Sequence, residues 1–124
     1  MLNFLPSPIV GFLATIMLSI NIFFWCTWLL GFAVIKLLLP IKALRKGFDS
    51  ILLKIAEAWV SGNSTWMRLT QRTKWDVQGL NNLNYKGWYL VNANHQSWVD
   101  ILVLQHVFNR KIPLLKFFLK QELI

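Results

Sequence analysis

Acidic side chains, cysteine, histidine and glycine are all scarce in this chain of 124 residues, and charge of either sign is missing from its first 35 positions. Five Asp and Glu stand against 13 Lys and Arg, leaving a net charge of +8. The single Cys26 excludes an internal disulfide framework, and with only His95 and His106 no Cys-rich zinc pattern can be written. No glycine follows Gly87, so a glycine-bearing phosphate loop is excluded from residues 88–124. At 14.5 kDa the chain has room for one ordinary domain at most.

What is abundant is apolar surface. Hydrophobic residues make up 56% of the sequence and the mean hydropathy is +0.47, which argues against a freely soluble globular protein. Seven Trp and nine Phe argue against a disordered tail, because disorder requires low hydrophobicity. Within residues 9–35 the only polar side chains are Thr15, Ser19, Asn21 and Thr27. A run of that length makes a helix of about 40 Å at about 1.5 Å per residue, against a hydrocarbon core of roughly 30 Å, so a spanning helix would be tilted or continue into the interface. Pro6 and Pro8 sit where a helix start tolerates a missing amide hydrogen, and Pro40 is a plausible stop.

A secretory signal peptide fits less well, since no Lys or Arg precedes the run and the run exceeds an h-region. Lys36, Lys42, Arg45 and Lys46 crowd its far end, and the positive-inside tendency predicts the N-terminus outside and the remainder in the cytoplasm. Asn21 near the middle keeps a second geometry open, a re-entrant pair of half-length helices in one leaflet with Trp25 and Trp28 at the headgroups.

Beyond Ala43, apolar Leu44, Phe48, Ile51, Leu52, Ile55 and Trp59 recur at helical spacing to about Thr70. Trp66 and Leu69 extend the stripe past a possible break at Gly62 and Asn63, while Arg45, Lys46, Lys54 and Glu57 take the other side. Such a helix either lies on anionic lipid or packs its stripe on a neighbouring domain. Nucleic acid is not the expected partner, because no recognised nucleic-acid motif accompanies the basic charge.

The second half reads as α/β. Residues 73–80 alternate Trp75 and Val77 against Lys74, Asp76 and Gln78; residues 81–87 are rich in turn formers; residues 88–92 (WYLVN) predict a buried strand. Residues 101–107 suit a short helix ended by residues 109–113, and residues 114–124 resemble the start of another element. Chemistry is best placed at His95 with Asp100. An imidazole at the mouth of a strand titrates near neutral pH and can accept a hydroxyl proton. If Ser97 caps the following helix, Asp100 stands at its third position, from which a carboxylate points back and can fix the His95 tautomer. The plainer reading is that Ser97 and Asp100 form an S-x-x-D cap and His95 is a turn residue. His106 lacks an acidic partner at useful spacing, a metal site lacks a third fixed ligand, and Ser97 lacks a nucleophile-elbow context.

Residues 94–100 (NHQSWVD), after WYLVNA and before a helix, resemble the N-H-x-x-x-x-D block of the glycerolipid acyltransferases of the 1-acylglycerol-3-phosphate type. Residues 117–123 (FFLKQEL) resemble that family's Lys-x-Glu-Leu segment, and residues 75–80 (WDVQGL) its lead-in strand. With the hydrophobic N-terminus, the order is most similar to the bacterial inner-membrane branch related to lysophospholipid acyltransferases. The resemblance implies transfer of a fatty acyl group from acyl-CoA or acyl carrier protein, as co-substrate, to the free hydroxyl of a lysophospholipid in phospholipid synthesis or remodelling. It implies His95 as general base, Asp100 as its orienting and charge-stabilising partner, no cofactor or metal, and a catalytic part facing the cytoplasm at the inner membrane.

The organisation expected is a membrane-anchoring segment (residues 1–42), an amphipathic basic helical region (43–72) and the N-terminal part of an acyltransferase domain (73–124). The family's later aromatic-x-x-Arg segment and Glu-Gly-Thr loop for the acceptor phosphate would lie beyond the Lys-x-Glu-Leu segment, so residues 1–124 alone are expected to show little or no activity. A different class of function, a small non-catalytic membrane protein that anchors or associates with a partner, also fits the apolar and basic helices.

Overall fold

Three helices carry the regular structure of the computed structural model, which describes residues 5–39, 41–71, 73–94 and 96–117. They are α1 (Ser7–Leu38), α2 (Lys42–Thr70) and α3 (Val99–Phe108), with one 3-10 turn at Leu80–Asn82. The chain divides into two compact units, Met1–Asp76 and Val77–Ile124.

In the first unit, α1 begins at Pro6 and Pro8, where ring-fixed φ suits the first helical turn and the absent amide hydrogens would have no partner. It runs unbroken through Asn21 to Leu38, so the re-entrant pair of half-length helices does not form. Its two threonine hydroxyls are satisfied within the helix, Thr15 donating to the Gly11 carbonyl at 3.0 Å and Thr27 to that of Phe23 at 2.8 Å. Val10, Ala14, Leu18, Asn21, Trp25, Leu29, Phe32 and Lys36 form a half-buried stripe along it, at spacings of four and three.

The helices α1 and α2 pack together as an antiparallel hairpin. Asn21 is bonded to Asn63 and Lys36 is ion-paired with Asp49, so 15 residues along α1 answer to 14 along α2 in the opposite direction. Phe48, Leu52, Ile55, Trp59 and Trp66 lie on the covered side of α2, as the helical spacing predicts. Leu44, Ile51 and Leu69 do not, being 46%, 40% and 39% exposed. The break that Gly62 and Asn63 allowed is absent and α2 is continuous. Gly62 instead gives α1 access: the Asn21 carboxamide occupies the place a β-carbon on residue 62 would take. From there Asn21 Nδ2 donates to the Trp59 carbonyl at 3.2 Å and to Asn63 Oδ1 at 2.8 Å. Trp25 donates its indole hydrogen to Asn21 Oδ1 at 3.0 Å and Trp66 its own to Asn63 Oδ1 at 3.3 Å. Four side chains and one carbonyl thus close a polar cluster inside an otherwise apolar contact, and such pairs fix register because a slip leaves them unsatisfied.

The second unit corrects the expected α/β class. Among the described residues there is no strand and the regular structure is all helical. Residues 73–78 and 87–94 have no regular structure, and part of the expected first strand gives way to the bend at Gly79 (φ 80°) and the 3-10 turn. Alternation of side chains is only half of what makes a strand, because its backbone groups must be paired by a neighbour, and no ladder forms among the described residues. WYLVN is accordingly uncovered, with Trp88 98% and Leu90 78% exposed. The turn that precedes it is well formed: Gly87 N donates to the Asn84 carbonyl at 2.8 Å and Lys86 N to Asn84 Oδ1 at 2.9 Å. Beyond it, α3 ends at Asn109 and the chain turns through Arg110 at φ 59°.

Candidate functional site

The Asn94 to Asp100 block lies between the irregular segment 87–94 and the start of α3. His95 lies outside the described residues. Its neighbours define the setting: Asn94, Gln96, Ser97 and Trp98 are exposed, and Asp100 is half-buried as the second residue of α3.

Asp100 turns its carboxylate back over the start of the helix. One oxygen, Oδ2, accepts from the backbone amides of Gln96 at 2.6 Å and Ser97 at 2.7 Å. Those are donors that a helix start leaves without intrahelical partners, and a carboxylate there also meets the positive end of the helix dipole. The Ser97 contact is the acidic half of the S-x-x-D capping pattern. The hydroxyl half does not form: the residue flanking the helix is Trp98, in αR conformation without a side-chain cap, and Ser97 uses its backbone carbonyl, at 3.0 Å from Asp100 N. Asp100 is therefore anchored to the two amides that immediately follow His95, its carboxylate held rather than swinging in solvent. The Gln96 amide could not have been found by spacing, because the capping box involves only Ser97.

The other candidates are spread along the same unit. His106 is half-buried in the last turn of α3, two turns from Asp100. Phe117 is exposed, and the rest of the Lys-x-Glu-Leu segment, from Phe118 onward, lies outside the described residues. In the other unit α1 is long and apolar enough to cross a membrane, which is compatible with a membrane location.

Residues 74–124 match the family model described as Acyltransferase. The match takes in the whole Asn94 to Asp100 block and places this segment in the acyltransferase family. Comparison with curated proteins and with solved structures gave no match.

Proposed function

We infer that the protein transfers a fatty acyl group from acyl-CoA or acyl carrier protein to the free hydroxyl of a lysophospholipid, at the inner membrane and from its cytoplasmic side. The observation that carries the reading is the family match over residues 74–124, which encloses His95 and Asp100 at the spacing of the N-H-x-x-x-x-D block. In this scheme His95 takes the acceptor hydroxyl's proton as its oxygen attacks the thioester carbonyl, and the thiol of the donor leaves. No nucleophile of the enzyme is acylated. Asp100 orients the imidazole and stabilises its charge, a part suited to a carboxylate held by the Gln96 and Ser97 amides. A membrane-associated N-terminus suits a lipid acceptor, and a net charge of +8 suits phosphate-bearing substrates and anionic lipid.

The test is His95→Ala in the longest natural form of the protein, with acyl transfer from labelled acyl-CoA or acyl carrier protein to lysophospholipid as the readout. The expected result is loss of transfer with membrane association unchanged. Undiminished transfer in the variant would remove His95 from the chemistry, and absence of any transfer in the parent would favour the anchoring module.

A further inference from the structure

Trp98 stands inside the Asn94 to Asp100 block, three residues after His95 and two before Asp100, and is 73% exposed. Exposure alone does not distinguish it, since Trp88 and Leu90 are exposed as well. Its position does. Trp98 flanks the start of α3, where Ser, Thr, Asp or Asn would accept a hydrogen bond from the free amides of the first turn, and an indole, being a donor only, cannot. The helix start is held without it, by the Asp100 carboxylate on the Gln96 and Ser97 amides. Among the described residues the Trp98 ring neither stacks on another aromatic nor gives its N–H to an acceptor. A capping position occupied by a residue that cannot cap, next to reacting groups, is a local loss of stability of the kind that functional sites retain.

What the ring can meet follows from the reaction. The thioester carbonyl has to come within one acceptor oxygen of the His95 imidazole, so the first carbons of the acyl chain arrive at the block whatever path the rest of the chain takes. Trp98 is separated from His95 by three residue steps, at most about 11 Å at full extension. Residues 96–100 are drawn into one turn by the two amide bonds to Asp100. Residues 87–99 contain no Lys, Arg, Asp or Glu, and the next residue, Val99, is 48% exposed. Phosphate groups of donor or acceptor find no cation in this stretch, whereas methylenes find an indole face and a branched aliphatic side chain.

We propose that Trp98 is a substrate-contacting residue, packing against the first methylenes of the donor's acyl chain and supplying part of the donor's affinity. The proposal rests on the acyl transfer inferred above and adds a residue to that site.

The experiment uses the full natural chain. Trp98→Ser removes the indole and installs a capping side chain, while Trp98→Phe keeps an aromatic face. Steady-state kcat and KM are measured with hexanoyl and palmitoyl thioesters of coenzyme A, or of acyl carrier protein where the parent accepts only those. In Trp98→Ser the donor KM is expected to rise about tenfold, the scale of losing about two buried methylenes, and to rise alike for both chains because both carry the carbons concerned. The kcat and the lysophospholipid KM should stay within about twofold, the signature of binding lost equally from ground and transition states. Trp98→Phe should lie within about threefold of the parent, and the melting temperature of Trp98→Ser should be no lower than the parent's, since Ser caps where Trp does not. An unchanged donor KM, a rise for the palmitoyl donor alone, a rise in the lysophospholipid KM instead, or a lower melting temperature with lost kcat would each overturn the contact. A parent that transfers from neither donor would overturn the acyl-transfer reading and this inference with it; a parent that transfers while Trp98→Ser matches it would overturn this inference alone.

Discussion

Asp100 is the residue on which a structural and a chemical role converge, and the two can be separated by substitution. Asp100→Asn keeps an oxygen that can accept from the Gln96 and Ser97 amides but discards the charge, while Asp100→Ala removes both. For a half-buried carboxylate at a helix start, the Ala variant should cost about 1 kcal/mol in thermal unfolding and the Asn variant less. If the carboxylate also supports His95, both variants should lower kcat for acyl transfer by roughly 10²-fold or more, the usual scale for general-base catalysis. An Asn variant with full kcat would leave Asp100 as a cap alone. At this scale the backward turn of the Asp100 side chain was legible, because a first-turn side chain points toward the helix start. The role of Asn21 was not. A polar residue in the middle of an apolar run suggests a break until its partner is known, and that partner, Asn63, lies 42 residues away next to the glycine that admits it.

Helices were readable as elements and strands were not, for a physical reason. A helix closes its own hydrogen bonds, so an uncharged run or a stripe at spacings of three and four specifies it locally, and the limits of α2 fall within a residue of the expected start at Ala43. WYLVN depends on a neighbour that local pattern does not supply, and Trp88, Tyr89 and Leu90 of its apolar run stand exposed in the second unit. Periodicity also leaves the edges of a stripe undetermined. Ile51 and Leu52 both fit the helical pattern of α2, yet Leu52 is half-buried and Ile51 is 40% exposed. Leu52→Ala should therefore destabilise the hairpin by roughly 1–2 kcal/mol, and Ile51→Ala by less than about 0.5 kcal/mol, in thermal unfolding followed by helical circular dichroism in micelles. Equal losses would mean that the α1 contact is centred elsewhere on α2.

For the molecule as a whole, the division between the two units falls in exposed, irregular backbone. Residues 73–78 are exposed and without regular structure, and the division between the units falls at Asp76 and Val77. Exposed irregular backbone is where proteases cut first. Limited trypsin treatment of membrane-bound protein should cleave after Lys74 before it cleaves within α2, leaving a fragment of residues 1–74 with the membrane, detectable by mass. Early cleavage after Lys54 instead would mean that α2 is not held along α1.

The hairpin also orders events during synthesis. The ribosome completes α1 before any of α2 exists, and at roughly 5–20 residues per second the 29 residues of α2 take about 1.5–6 s to follow. Through that interval the stripe of α1 from Val10 to Phe32, later covered, is as bare as its outer face. Until α2 is made the stripe has no partner within the chain, and Asn21 has to wait for Asn63, 42 residues on, before its carboxamide is satisfied.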